Sequence, residues 1–189
     1  MYDWGISKST KFKTPIINVG NLSVGGSGKS PMVMYLAELL SKNYRTGVLS
    51  RGYGRLTKGY GITNYDSNYK TVGDEAMQLF ERFRNRLVIG ASEERVPGAK
   101  KMIDDMDLDV LILDDAYQHR KIKPGFSILM TDYNDPYFKD FVLPAGDLRE
   151  SRSGAARSQI IMVSKCPEDL TEENKQYYIS RIKPQHYQK

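Results

Sequence analysis

Short apolar runs bounded by turn residues recur along the chain, and between them lie longer stretches whose apolar positions return at helical spacing. The runs "PIINVG" (15–20), "RTGVLS" (45–50), "RLVIGA" (86–91), "DVLILDD" (109–115), "FSILMTD" (126–132) and "QIIMVSK" (159–165) predict strands. "PMVMYLAELLSK" (31–42) predicts a helix, with Val33, Leu36 and Leu40 on one face and Pro31 in the first turn, where its missing donor costs nothing. Helices are also predicted over 73–83, over 92–106 with an interruption near Pro97, and over 171–182. Nearly continuous apolar strands alternating with helices predict an α/β fold, a mostly parallel sheet with helices on both faces. Ligands of such sheets bind beyond the carboxyl ends of the strands.

Two segments interrupt the alternation. Residues 51–71 are rich in Gly, Tyr and basic side chains, and 133–157 form a long connection with Pro, Gly and charged residues. Long irregular loops in a compact domain often carry function.

Composition narrows the class. At 189 residues and 40% hydrophobic, the chain has enough apolar surface for one core and too little for two. A net charge of +5 suits an anionic partner, while basic runs interleaved with aromatics, which would indicate nucleic acid, are not evident. The single cysteine, Cys166, excludes a disulfide framework and a cysteine zinc cage, and reads as a small packing residue in a reducing cytosol. No apolar run reaches the roughly eighteen residues needed to span a bilayer, so membrane contact is expected to be peripheral.

The segment Ser23, Val24, Gly25, Gly26, Ser27, Gly28, Lys29, Ser30 fills the pattern G-x-x-x-x-G-K-[ST] except that serine opens it. Such a loop turns its backbone N–H groups onto phosphate oxygens just before a helix N-terminus, which gives a P-loop NTPase-like expectation. Lys29 would reach the terminal phosphates and Ser30 would ligate Mg²⁺. Asp114 and Asp115 end an apolar strand, where P-loop enzymes keep a carboxylate for the metal. Guanine-specific relatives carry N-K-x-D after a late strand, and the matching "VSKCPED" has Ser164 for Asn and Pro167 for Asp, which favours ATP.

The segments "VGNLSVGGSGKSP", "LSRGYGR", "VGDEA", "LILDDAYQHR" and "LPAGDLRE" together resemble, in order, the signatures of the tetraacyldisaccharide 4′-kinase family, in which Ser or Thr commonly opens the loop. The resemblance implies transfer of the ATP γ-phosphoryl group to the 4′-hydroxyl of a lipid A disaccharide precursor, at the cytoplasmic face of the inner membrane. It implies that Asp74 and Glu75 lie near the acceptor hydroxyl, with Asp74 the favoured base, that Lys29 holds phosphate, and that Asp115 serves the metal with Asp114. It implies that Arg149 neutralises charge on the transferred group. Asp74 also suits a helix N-terminus simply by its charge, and Arg149 also reads as a solvated loop charge. Arg51, Tyr53, Arg55, Arg95, Gln118 and His119 are the glycolipid candidates, because a sugar phosphate calls for arginine forks and an aromatic or amide platform.

The departures are Ala116 and Tyr117 where the family usually has Gly and Phe, and Asp147 where Pro is usual. Family members also carry a membrane-associating segment ahead of "YDWGI" and a C-terminal lobe with a catalytic histidine. This chain is therefore expected to be a soluble fragment, one nucleotide-binding lobe over 1–189 with its core at 15–165 and the start of a linker or C-terminal lobe at 166–189. The rival expectation is a P-loop NTPase switch or metallochaperone with a protein partner; a third is an inactive phosphate-binding module.

Overall fold

The computed structural model describes residues 9–189; the "YDWGI" segment, 2–6, lies outside them. In chain order the elements are β1 Ile16–Asn21, α1 Lys29–Leu40, β2 Thr46–Ser50, β3 Gly61–Ile62, α2 Tyr69–Val72, α3 Asp74–Phe83, β4 Val88–Ala91, α4 Arg95–Met106, β5 Val110–Asp114, β6 Phe126–Asp132, β7 Ile160–Ser164 and α5 Glu172–Ile182. The seven strands form one sheet in the order β3-β4-β2-β5-β1-β6-β7. All pairings are parallel except that of β3, which runs antiparallel at the edge.

The apolar runs explain the middle of the sheet. Every residue of β2 and β5 is buried, and so is all of β1 except the half-buried Ile17, as expected of strands covered on both faces. Alternation divides their side chains between two layers. Val19, Val48, Ile112 and Ile128 face α1 and α3 and pack against Val33, Ala37, Leu79 and Phe83. Leu49, Leu111 and Leu113 face the other way, onto Ala99 and Met102 of α4. A third cluster, around Leu129, Tyr137, Phe138 and Tyr178, seats α5 beside β6 and β7. Burying a side chain such as Phe83 or Leu79 contributes ~2 kcal/mol.

Three expectations change in detail. Helix α4 is continuous: it begins at Arg95, which puts Pro97 in the first turn, where no intrahelical partner is lost. The loop 51–71 contains β3 and the four-residue α2, which Asn68 and Thr71 cap reciprocally. Cys166 is exposed rather than packed. Among the described residues, no helix is long and apolar enough to cross a membrane.

Candidate active site

The phosphate loop leaves β1 at Asn21 and enters α1 at Lys29. Ser23 is bridged to Leu148, the Val24 N–H donates to the Asp147 carbonyl (2.8 Å), and the Arg149 N–H donates to the Leu22 carbonyl (2.7 Å). The long connection 133–157 thus returns to pair with the entry of the loop, and this backbone pairing is what carries Arg149 to the site. Gly25 (φ 105°) and Gly28 (φ 81°) adopt left-handed conformations that a side chain would strain. Gly28 is also crowded: a Cβ there would lie 3.1 Å from that of Ser164. The Lys29 ammonium crosses the mouth of the loop, donating to the Gly25 carbonyl (3.4 Å) and lying 3.6 Å from the Asp115 carboxylate.

Two buried polar atoms in this region have no protein partner, the Ser27 hydroxyl and the Asn21 side-chain oxygen. An orphaned hydroxyl, a positioned ammonium and a helix N-terminus fit a phosphate-bearing ligand.

Asp114 is the last residue of β5 and stands beside Val19 of β1, so the acid strand and the loop strand are neighbours. The chain then turns at Asp115 (φ 48°), a left-handed conformation that Asp tolerates better than most residues. Both oxygens of Asp115 accept from one nitrogen of Arg149, at 3.0 Å each. Asp114 is buried, and burial above all, with Glu75 and Asp115 nearby, pushes its carboxyl up to about 7. Glu75, half-buried, is raised too, first by burial and then by Asp115. A buried carboxyl that keeps its proton up to about 7, with a second acid raised beside it, suits a divalent cation. Among the described residues no three His, Cys, Asp or Glu side chains converge into a metal site by themselves. Ser30, Asp114 and Asp115 would instead hold Mg²⁺ together with phosphate oxygens, the usual division of its ligands.

The raised carboxyl has a consequence for stability. Unfolded, Asp114 ionises near its ordinary 3.8; folded, it keeps its proton up to about 7. Between those values the folded chain binds more protons than the unfolded chain, so stability falls as pH rises through the window and levels off above it. Glu75 acts in the same sense. Replacing Asp114 with Asn is expected to flatten this slope in urea unfolding followed from about pH 5 to pH 8, in the absence of Mg²⁺. Equal slopes in the two proteins would assign it to other groups.

Asp74 and Glu75 open α3. Gly73 precedes them at φ 92°, and a Cβ there would meet the Tyr53 carbonyl oxygen at 2.8 Å, so the loop around Gly52 and Tyr53 rests directly on the start of the helix. Glu75 borders a narrow cleft with Ser30 and Asp114. Asp74 is exposed and faces an outer cavity of about 560 Å³, shared with Asn68, Tyr69, Gln78 and the other side of Glu75.

The six glycolipid candidates divide. Arg51 and Tyr53 are exposed, Tyr53 by 81%. Arg55 is folded inward onto Glu93 (2.7 Å) and the carbonyls of Ala91 (3.4 Å) and Gly59. Arg95 is buried, and its guanidinium donates to the carbonyls of Ser50 (2.7 Å), Ser92 and Asp114 (3.2 Å), clamping the ends of β2 and β5. Burial lowers it to about 10. Gln118 donates to the Asn21 carbonyl (2.9 Å) and to Glu150 (3.1 Å). Half-buried His119 is held below its ordinary value by burial and then by Arg95 and Arg51, so it is neutral at pH 7. It borders a different cavity of about 390 Å³, with Asn18, Ser127 and Gln159.

Two residues of this region were not singled out by their spacing. Glu150 links Gln118 to Arg157 (2.7 Å), and Arg157 lies over the Tyr117 ring. Ser164, noticed only as a mismatch to the guanine motif, touches the phosphate loop. Glu150 closes the segment "LPAGDLRE", but nothing in that segment announces its partners, and no local pattern marks Ser164.

Known proteins resemble this chain along most of its length. Residues 1–189 match the family described as tetraacyldisaccharide-1-P 4′-kinase. A tetraacyldisaccharide 4′-kinase of Flavobacterium johnsoniae is 48% identical over 174 residues, 92% of this chain and 51% of that protein. One of Bacteroides thetaiotaomicron is 45% identical over 172 residues, 90% of this chain and 45% of that protein. The crystal structure of LpxK from Aquifex aeolicus in complex with ATP aligns with a TM-score of 0.79 at 37% identity, covering 90% of this chain and 56% of that one. The chain therefore spans about half the length of the curated relatives it matches. With a family match along its whole length and the fold of that solved relative over 90% of its residues, the chain belongs to the tetraacyldisaccharide-1-P 4′-kinase family.

Proposed function

We propose that this chain is the nucleotide-binding lobe, residues 1–189, of a kinase that transfers the γ-phosphoryl group of ATP to the 4′-hydroxyl of a tetraacyldisaccharide 1-phosphate. The observation that carries this reading is the convergence, at the carboxyl ends of β1 and β5, of Lys29, Asp114, Asp115, Arg149 and Glu75 around one phosphate loop.

The loop from Ser23 to Ser30 holds the donor phosphates through its N–H groups, with the Lys29 charge at the terminal end. Ser30, Asp114 and Asp115 would hold Mg²⁺, which when bound would offset negative charge on the phosphate oxygens. Asp74 accepts the proton of the acceptor hydroxyl as that oxygen forms its bond to phosphorus and the bond from phosphorus to the leaving ADP oxygen breaks. Arg149, waiting against Asp115, neutralises charge on the group in flight. Glu75 sets the field between the two sets of residues. Arg51 and Tyr53, exposed on the loop that rests on α3, are best placed to meet the glycolipid; Arg55, Arg95 and Gln118 brace the region, and His119 serves as a neutral donor or acceptor beside it.

An acylated acceptor also calls for a membrane surface, at the cytoplasmic face of the inner membrane. The exposed run Phe141, Val142, Leu143, with Arg152 over the Phe141 ring, supports peripheral contact there.

The test is transfer of ³²P from [γ-³²P]ATP to tetraacyldisaccharide 1-phosphate in detergent micelles by the full-length protein. A labelled lipid is expected. Hydrolysis of ATP with no labelled lipid would point instead to a nucleotide switch acting on a protein partner.

A further inference from the structure

Ser164 is the last residue of β7, two strands away from β1 in the sheet and 137 positions from Ser27 in sequence. Its hydroxyl lies 3.0 Å from the Ser27 carbonyl oxygen and 3.2 Å from that of Thr131. With one proton to give, it bonds the nearer carbonyl or shares between the two. The Ser164 side chain also occupies the space beside Gly28, where a Cβ would come within 3.1 Å of its Cβ and 3.2 Å of its Oγ. Ser27 is itself buried, and its own hydroxyl has no partner, so the bond from Ser164 is a specific hold on this peptide from the β7 side.

We propose that Ser164 is a positioning residue of the phosphate cradle. A peptide unit is planar and trans, so its N–H points opposite to its carbonyl. Drawing the Ser27 carbonyl toward β7 turns the Gly28 N–H the other way, into the loop and toward the phosphates. The left-handed φ of Gly28 makes that orientation reachable. Without the hydroxyl the peptide is free to rotate, and one donor of the cradle is no longer prepaid in orientation. This proposal rests on the reading of residues 23–30 as a phosphate loop. It adds that the late strand, which lacks the guanine-reading motif, serves the phosphate end of the nucleotide.

The test uses full-length protein and its Ser164→Ala variant, with Mg-ATP titrated by calorimetry. Hydrogen–deuterium exchange is followed on the peptide spanning residues 27–30, with and without ATP. The variant is expected to bind Mg-ATP about fivefold more weakly, the usual worth of one neutral hydrogen bond, and to lose part of the ATP-induced protection at Gly28. Its KM for the lipid acceptor should stay unchanged, which a general loss of structure would not leave alone. Wild-type affinity and wild-type protection in the variant overturn the proposal. Should Ser164→Ala fail to fold, Ser164→Gly, which likewise lacks the donor, takes its place, and undiminished affinity there overturns the proposal equally. A wild type that binds no Mg-ATP overturns the phosphate reading itself, and this inference with it.

Discussion

Changing Asp74 to alanine is expected to lower phosphoryl transfer by about 10²- to 10⁴-fold, the range that a positioned general base supplies. Affinity for Mg-ATP should change little, because the carboxylate opens on the outer cavity with Asn68 and Tyr69 while Lys29 and Asp115 meet across the loop. Glu75→Ala makes the contrast. Glu75 lines the outer cavity too, but unlike Asp74 it also borders the cleft shared with Ser30 and Asp114 and helps raise the Asp114 carboxyl, so its loss should disturb nucleotide and Mg²⁺ binding as well as turnover. Removing Asp74 also deletes an acid from the first turn of α3, worth ~0.5 kcal/mol of helix-dipole stabilisation, too little to account for the loss of rate. The measurement is single-turnover ³²P transfer at saturating ATP and lipid. A variant that transfers at the wild-type rate removes Asp74 from the chemistry and leaves it a helix-start acid.

Arg149→Ala is expected to cost about 10³-fold in kcat, within the range for an arginine that stabilises a phosphoryl group in transit. In the present arrangement one guanidinium nitrogen donates to both oxygens of Asp115 and lies 3.5 Å from the Gln118 side-chain oxygen. The side chain is thus held at the Asp115 carboxylate, with further donors of its fork left to meet a phosphate. Arg149→Lys keeps the charge but not the fork, and should recover only a small part of the rate. The competing role is structural, a brace that keeps Asp115 in its left-handed turn. A variant within about threefold of wild-type kcat, but with a raised requirement for Mg²⁺, would establish the brace and remove Arg149 from the transfer step.

Much of this architecture is legible in the sequence. The strand from 109 to 115 was readable because it is apolar throughout and ends in two acids, and β5 spans Val110–Asp114 with Asp115 turning just beyond. The phosphate loop was readable because its chemistry is local: glycines, lysine and serine at fixed spacing between a strand and a helix. Pro97 misled because proline is a helix breaker in the interior but not in a first turn, and the true start of α4 at Arg95 is set by Ser92 and Glu94 folding back before it. Ser23 departs from the glycine that usually opens such a loop, and its backbone bridges Leu148.

The arginines show where sequence reading stops. Arg51, Arg55 and Arg95 were equally plausible for an anionic sugar, yet Arg51 is exposed, while Arg55 and Arg95 are turned inward onto carbonyls and Glu93. Their acceptors are largely backbone carbonyls, which every residue possesses and no pattern of side chains announces. The same holds for Ser164 and Ser27, and for Gln118 and Asn21, separated by 137 and 97 positions. By itself, then, the sequence determined the alternation of strands and helices, the glycine loop between β1 and α1 and the pair of acids at the end of β5, because each of these is written in residues close together along the chain. Only the tertiary structure decided which charges remain available to a ligand and which are consumed in holding the sheet edges together. That choice depends on carbonyls brought near by the order of the strands, and strand order joins residues that the sequence keeps far apart.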